Sequence, residues 1–301
     1  MTARIVFGRI ALAALLAALG SCSDSNAAPS KTHPRSQPIM AVPAPLAQLT
    51  LAGQFSQGGW ARGAAPAGTI GLTLDGRALP MAADRVFFIA FDRDAGASAT
   101  LIARLDDGRS ISRILTIAPR SWAIEHIPIG PRAGTPPSEE YKRRRAIELA
   151  QINAARAVNA NSDGWRQGFI WPVTGRLSGK FGSQRIYRGT PGAYHSGLDI
   201  ATGASGTPFV SPADGVVILA AASPFMLEGR LLMIDHGMGL NSAFLHCSQL
   251  AVKVGDVVRR GQYIGRIGMT GRATGPHLHW SIKWQDKRLD PLFFVGPMPT
   301  G

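Results

Sequence analysis

The stretch Gly275-Pro276-His277-Leu278-His279-Trp280 decides how the C-terminal part of this 301-residue chain folds. Pro276 disfavours helical geometry in the residue before it, and from His277 to Trp284 small or polar residues alternate with large apolar ones. This period of two predicts a β-strand with one buried face. His277 and His279 then project side by side from the other face, an arrangement suited to a metal ligand with a catalytic neighbour.

The composition predicts a mainly β protein. The chain contains 35 glycines and 21 prolines, helical periodicity is scarce, and short alternating runs are separated by turn residues. A chain of this length has room for a large core and two domains with appendages. We therefore expect an N-terminal β-sandwich, one linker helix and a C-terminal antiparallel β-sheet domain.

The charge balance favours an anionic partner. The formal net charge is +13, although only 17% of the residues are charged. A basic surface fits a carboxylate-rich polymer, anionic lipid or nucleic acid. The dense basic run Lys142-Arg143-Arg144-Arg145 has no interleaved aromatic residues and lies in a predicted helix, so we interpret it as a solvated helix face. We expect no nucleic-acid partner.

Residues 1–22 predict export. Two arginines precede the apolar run Ile10 to Leu19, and small residues follow it, as in a secretory signal peptide. The run is too short for an ordinary membrane-spanning helix. Leu19-Gly20-Ser21-Cys22 also resembles a bacterial lipobox, so either Cys22 is lipidated and anchors the protein to a membrane or the signal is simply cleaved. In both cases we expect the protein in the periplasm or cell envelope.

Two regions follow the signal. Residues 23–45 are rich in Ser, Ala and Pro and predict a flexible tether. Residues 46–130 contain short alternating runs and the hairpin signal Asp107-Gly108, which predict a small β-sandwich. We see no catalytic cluster there and interpret the region as a spacer or binding module.

Residues 136–164 predict a helical linker. Ser138 can cap the helix, and the acidic residues that follow favour its N-terminal end. The apolar stripe extends to about Val158. We interpret the helix as a connector; the alternative is that it lies near the cleft of the next domain and restricts access.

The C-terminal module, residues 165–301, contains the candidate chemistry. His195 and Asp199 would point the same way in an extended segment, with Gly197 leaving space for an ion. With one histidine of the 277/279 pair they give two imidazoles and one carboxylate. Three protein ligands leave a fourth tetrahedral position for water, as in catalytic zinc sites.

A general base is still required. The sequence contains no His-Glu-x-x-His, so the glutamate of zincin-type enzymes is absent. The candidates are the unligated member of the 277/279 pair and His246, because histidine titrates near the working pH. We interpret His236, which glycines surround, as a turn residue, and Cys247 as a small buried thiol.

Three motifs in this order resemble those of the lysostaphin/LytM family of zinc metallopeptidases: His195-x-x-x-Asp199, Phe244-Leu245-His246 and Gly275-Pro276-His277-Leu278-His279. Two further segments are similar to that family, Asp235-His236-Gly237 and Gly255-Asp256-Val257-Val258-x-x-Gly261. Phe244 stands where the family usually has tyrosine. The resemblance covers roughly residues 171–291.

The resemblance implies a role for each candidate. His195, Asp199 and His279 would bind one zinc ion per chain, and His246 and His277 would be the catalytic pair. The implied fold is a compact antiparallel β-sheet of the barrel-sandwich-hybrid type, with a groove over the metal. The implied function is a zinc-dependent endopeptidase that hydrolyses stem peptides or cross-links of bacterial peptidoglycan, so the expected partner is peptidoglycan.

Two alternatives compete with this prediction. Some relatives of the family have lost metal ligands and only bind and activate cell-wall amidases, but all five positions are occupied here. Val254-Gly255-Asp256-Val257-Val258 also resembles domains that carry biotin or lipoate. Those domains need an exposed lysine at a hairpin tip, commonly beside methionine; no such pair occurs here, and the histidines would be unexplained.

Overall fold

The computed structural model describes residues 48–128 and 138–299. The predicted signal peptide with Cys22 and the predicted tether therefore lie outside the described residues. In the described ranges, no helix is both long and apolar enough to cross a membrane.

The N-terminal part contains eight strands: seven form two small antiparallel sheets, and the last pairs in parallel with a strand of the C-terminal part. Its strands are β1 (Thr50–Gly53), β2 (Trp60–Ala64), β3 (Thr69–Leu74), β4 (Arg77–Leu79), β5 (Val86–Ala90), β6 (Ser98–Leu105), β7 (Ser110–Thr116) and β8 (Ile124–Ile127). The first sheet has the order β1-β2-β5 and the second β4-β3-β6-β7. Apolar residues of both sheets, including Ile89, Leu101 and Leu115, share one buried core. This is the sandwich that the alternating runs predicted.

One helix, α1 (Glu139–Arg156), follows. The Ser138 hydroxyl accepts a hydrogen bond from the backbone N–H of Tyr141 at 3.1 Å and caps the helix, as predicted. Ile152 and Ala155 on its inner face are buried against the C-terminal sheet, so the helix is packed along the domain rather than exposed as a free connector.

After a 3-10 turn at Gly164–Arg166, the C-terminal part contains thirteen strands and a short α-helix within the described residues. They are β9 (Arg176–Gly179), β10 (Gln184–Tyr187), β11 (Thr190–Pro191), β12 (Leu198–Ala201), β13 (Pro208–Val210), β14 (Gly215–Ala220), β15 (Arg230–Gly237), β16 (Leu240–Cys247), β17 (Gln249–Leu250), β18 (Val257–Val258), β19 (Tyr263–Arg266), β20 (Leu278–Trp284), β21 (Lys287–Leu289) and α2 (Leu292–Val295). The main sheet has the order β18-β14-β15-β16-β20-β12-β9, with β21 also paired to β20. The mainly β, antiparallel fold is confirmed.

Strand β20 lies in the middle of this sheet and shows the predicted alternation. Leu278, Trp280, Ile282 and Trp284 are at most 1% exposed and face the core. Ser281 and Lys283 stay partly exposed on the other face. Cys247, at the end of β16, is a fully buried free thiol, as predicted.

The N-terminal sandwich shares a core with the C-terminal sheet. Phe88 of β5 lies 5.9 Å, centroid to centroid, from Trp284 of β20. Trp60 stacks on Phe88 at 5.5 Å and on Phe294 at 4.9 Å. The interpretation of residues 46–130 as a spacer must therefore include an apolar contact with the C-terminal domain that no local sequence pattern showed.

The interpretation of His236 as a turn residue is wrong. His236 lies in β15 and is fully buried. Its Nδ1 is 2.8 Å from the carbonyl oxygen of Asp214 and therefore carries the proton, while its Nε2 accepts from the Ser242 hydroxyl at 2.8 Å. The Ser242 oxygen accepts in turn from the Trp280 indole at 3.3 Å. Every polar atom of the neutral imidazole is thus satisfied inside the core.

We predict that Phe88→Ala lowers the free energy of unfolding by about 3–5 kcal/mol, because it leaves a cavity in the shared core. Ile114→Ala is the control, since Ile114 is 73% exposed and its loss should cost less than about 1 kcal/mol. Urea unfolding followed by tryptophan fluorescence measures both. Equal stability of the two variants would contradict the shared core.

Burial lowers the pKa of His236 to about 4, below the ordinary value of about 6.5. Protonation therefore favours the unfolded chain. The stability that comes from keeping His236 neutral is complete above about pH 6.5 and decreases as the pH falls toward 4. Over that window we expect a loss of about 3 kcal/mol. Unfolding measured at several pH values should show a shallower pH dependence for His236→Gln than for the wild type; identical slopes would argue against the assignment.

Candidate metal centre

Antiparallel pairing of β12 with β20 brings the predicted ligands together. The register places Asp199 directly opposite His279. His195 lies just before β12, where its backbone N–H donates to the Ser183 carbonyl at 2.8 Å. Asp199 and His279 therefore come from neighbouring strands, and His195 from the segment that leads into one of them.

Three side-chain atoms converge on one point. The Nε2 of His195 is 3.0 Å from the Oδ1 of Asp199 and 3.1 Å from the Nδ1 of His279. The Nδ1 of His279 is 2.9 Å from the same Asp199 oxygen. A tetrahedral ion with bonds of 2.0–2.1 Å has ligand atoms roughly 3.3 Å apart. The triangle is close to that size, and two imidazoles with one carboxylate are a donor set that suits a transition metal.

The tautomer of His195 and the pKa directions of Asp199 and His279 fit a metal site. The Nδ1 of His195 lies 3.1 Å from the Lys180 carbonyl oxygen, so Nδ1 carries the proton and Nε2 presents its lone pair to the cluster. Burial alone would raise the pKa of Asp199, but hydrogen bonding to His195 and His279 holds it well below its usual range. Burial lowers the pKa of His279. An ionised carboxylate and a neutral imidazole are the forms that bind metal.

His246 and His277 lie beside the cluster as a second pair. Their ring centroids are 4.8 Å apart, and the Nε2 of His277 is 3.7 Å from the Oδ1 of Asp199. The Nδ1 of His246 is 2.8 Å from the Thr270 carbonyl, and the Nδ1 of His277 is 2.8 Å from the Gly275 carbonyl. Each ring therefore donates from Nδ1 and keeps the Nε2 lone pair available. Burial, the largest effect, lowers the pKa of His246.

His246 is held in a strained backbone conformation. Its φ is +65°, a region that non-glycine residues rarely adopt. The His246 N–H donates to the Glu228 carbonyl at 2.8 Å. The Glu228 carboxylate is bound by both terminal nitrogens of Arg145 on α1, at 2.6 and 2.7 Å. Strain of this kind persists only where the surroundings fix it.

The sequence alone did not identify the groups that orient these histidines. The partners are backbone carbonyls of Lys180, Thr270 and Gly275, together with the Arg145–Glu228 pair. Every residue has a carbonyl, so no residue type marks these positions. Thr270 and Gly275 lie in a glycine- and threonine-rich segment before Pro276, and this composition was the only sequence signal that marked their loop.

An open cleft of about 910 Å³ leads to the cluster. His195 and Asp199 line it, together with residues of β8 and β10 and with Arg272. Within the part of the chain that the structure describes, no residue of α1 lines this cleft. The position of α1 therefore does not support the alternative that the helix closes the entrance.

Comparison with known proteins identifies the same segment. Residues 193–291, which include all five predicted site residues, match peptidase family M23. The chain is 39% identical over 164 residues to the peptidoglycan DD-endopeptidase ShyA of Vibrio cholerae, a match that covers 53% of this chain and 37% of ShyA. It is 35% identical over 128 residues to the lipoprotein NlpD/LppB homolog of Pseudomonas aeruginosa, covering 42% of this chain and 40% of that protein.

A solved structure extends the likeness beyond the matched segment. The crystal structure of a Pseudomonas aeruginosa protein assigned to peptidase M23 has a TM-score of 0.61 and 27% identity, over 81% of this chain and 96% of that one. By contrast, this chain spans 20% to 40% of the length of the curated relatives it matches. The fold, the clustered residues and these comparisons agree that the C-terminal part of the chain is a domain of peptidase family M23, as its resemblance to the LytM-type peptidases predicted.

Proposed function

We propose that this protein is a zinc-dependent endopeptidase that hydrolyses peptide bonds in bacterial peptidoglycan, in a stem peptide or a cross-link. One observation carries the proposal. Three ligand atoms of His195, Asp199 and His279 converge within 2.9–3.1 Å of one another, and two more histidines with available Nε2 atoms lie beside them.

In this proposal His195, Asp199 and His279 hold one zinc ion per chain. Zinc, when bound, supplies Lewis acidity that polarises a carbonyl and lowers the pKa of water to about 7. The Lys180 carbonyl fixes the ring of His195 from behind, as the outer partners of metal-binding histidines do.

His277 and His246 move protons in this scheme. The Nε2 lone pair of either ring can take a proton from the attacking water. The protonated ring can then donate to the developing oxyanion or to the leaving amine. Two histidines in these roles agree with the absence of a zincin-type glutamate from the sequence.

The substrate and location are inferred from several separate features. ShyA is named a peptidoglycan DD-endopeptidase, and the net charge of +13 suits a polymer that bears carboxylates. Residues 1–22 support export to the periplasm or cell envelope. Lipidation at Cys22 would add a membrane anchor. One relative has the name of a lipoprotein, which supports this possibility.

The second candidate function is a non-catalytic protein that binds and activates cell-wall amidases. It is favoured by the fact that one relative has the name of a lipoprotein rather than of a peptidase. The complete set of His195, Asp199, His246, His277 and His279, which lie beside one another, favours catalysis.

We expect His279→Ala to lose zinc and His277→Ala to keep about one zinc per chain. Of these two histidines, only His279 contributes an atom to the converging set. His126→Ala is the control, since His126 is exposed on β8. Metal content after dialysis, measured by mass spectrometry, tests the assignment. It is contradicted if His277→Ala loses zinc as completely as His279→Ala.

We expect His277→Ala and His246→Ala to lower turnover on purified peptidoglycan by about 10²–10⁴-fold, the usual contribution of a positioned acid or base. Zinc content should stay unchanged in both, and His126→Ala should digest normally. Mass spectrometry of the released muropeptides gives the rate and the bond cut. A zinc-loaded wild type that releases nothing would refute the endopeptidase, and stimulation of a purified amidase would then support the second candidate.

A further inference from the structure

The face of β20 that bears His279 continues away from the metal ligands. Ser281 and Lys283 share this face because strand side chains alternate, and both are partly exposed. The register places Asn241 of β16 and Arg288 of β21 on either side of Lys283. Lys283 is four residues from His279, roughly 13 Å along the strand.

Helix α1 covers the neighbouring part of the same face. Ile152 and Ala155 belong to one buried cluster with Met233 and Ala243, and Ala243 lies opposite Ser281 in the sheet. The helix therefore ends near this row of polar residues. Arg156 is its last residue, and the guanidinium lies close enough to lower the pKa of Lys283.

None of these basic side chains forms an ion pair in the described residues, and that of Arg288 donates to the Tyr194 hydroxyl at 3.3 Å. Among residues 48–128 and 138–299, no hydrogen bond or ion pair involves the side chain of Arg156 or Lys283, and the Nε of Arg156 and the Oδ1 of Asn241 are buried without a partner. Burial lowers the pKa of Lys283, Arg156 and Arg288 lower it further, and the more distant charges of Asp286 and Asp92 offset only part of this effect. Like charges thus face one another on a partly buried surface, which is costly unless an anion compensates.

The carboxylates nearest to this row are bound by other donors, as Glu228 is by Arg145. Asp92 accepts from the Tyr194 hydroxyl at 3.1 Å and from the Arg288 backbone N–H at 2.8 Å. Asp286 forms ion pairs with Arg77 and Lys287. Of the 19 acidic residues, only Asp24 lies outside the described ranges. Because Asp92, Asp286 and Glu228 are held by other donors, the row can accept an anion from another molecule.

We propose that Arg156, Lys283 and Arg288 form a carboxylate-binding subsite for the peptide substrate. The subsite rests on the proposed peptidase function, because the carboxylate is that of the peptide to be cleaved. At roughly 3.3 Å per residue, the distance from His279 corresponds to about four residues of extended peptide. The bound carboxylate therefore belongs to a side chain or chain end several residues from the scissile bond. The planar guanidinium groups of Arg156 and Arg288 match the geometry of a carboxylate.

Binding without turnover tests the subsite directly. The probes are one acidic stem peptide and two versions of it, amidated at the side-chain carboxyl or at the C-terminal carboxyl. Calorimetry would use the full, zinc-loaded His277→Ala chain, in which cleavage is suppressed. We expect one of the two amidations to weaken binding about tenfold, the loss of one charge-assisted hydrogen bond, and so to identify the carboxylate involved.

Substitutions in the same background assign the effect to the subsite. Lys283→Gln should lower the affinity for the acidic peptide about tenfold. It should not change the affinity for the peptide whose subsite carboxyl is amidated. Lys283→Arg should retain the affinity for the acidic peptide. Lys253→Gln removes the same charge from an exposed turn elsewhere and should change nothing. The proposal would be overturned if Lys283→Gln lowered the affinities for the acidic and amidated peptides equally, or lowered neither.

Kinetics on the chain with His277 intact separate this proposal from the proposed function. Lys283→Gln should raise KM for the acidic peptide with kcat within about twofold, since only ground-state binding changes. If the wild type binds the acidic peptide through Lys283 but cleaves nothing, the subsite stands and the peptidase function fails. If it cleaves acidic and amidated peptides equally well, the subsite fails and the function stands.

Discussion

The pairing of β12 with β20 is the constraint on which the site depends. Asp199 and His279 face each other only in this register, and a slip by one residue would turn every side chain of β20 to the opposite face. Burial prevents that slip: Leu278, Trp280, Ile282 and Trp284 on one strand and Leu198 and Ile200 on the other are at most 1% exposed. Moving four large apolar side chains into water would cost several kcal/mol. The apolar alternation that folds the strand is therefore also what aims the polar residues at the cleft.

Backbone carbonyls then assign different roles to similar histidines. His195, His246 and His277 each use Nδ1 for a carbonyl partner, which leaves Nε2 as the reactive atom. His279 instead directs Nδ1 at Asp199. Two histidines separated by one residue thus differ in which nitrogen they present and in what they face. The different roles proposed for His277 and His279 therefore depend on which group each Nδ1 faces, and the His-x-His spacing alone does not assign them.

Local patterns predicted a substantial part of this arrangement, and the rest depends on distant contacts. The alternation from His277 to Trp284, the Ser138 cap and the five clustered residues follow from periodicity, turn chemistry and motif spacing. The burial of His236 could not be foreseen, because its partners are Asp214, in the turn before β14, and Ser242 of β16. The contact of Phe88 with Trp284 joins residues almost two hundred positions apart. Such pairings have no local periodicity, so only the folded chain shows them.

Helix α1 is bonded to the loop before β15, and this gives it a role that neither a spacer nor a lid would have. Near its start, Arg145 binds the Glu228 carboxylate, while the Glu228 carbonyl holds the strained backbone of His246. The buried carboxylate of Glu148 also accepts from the Met226 N–H at 2.9 Å, which fixes the same loop. At its end, Arg156 lies close to Lys283 on the sheet face that bears His279. A helix held to this loop by ion pairs and to the sheet by apolar packing has few ways to swing aside, so it supports the backbone position of His246 from outside the cleft.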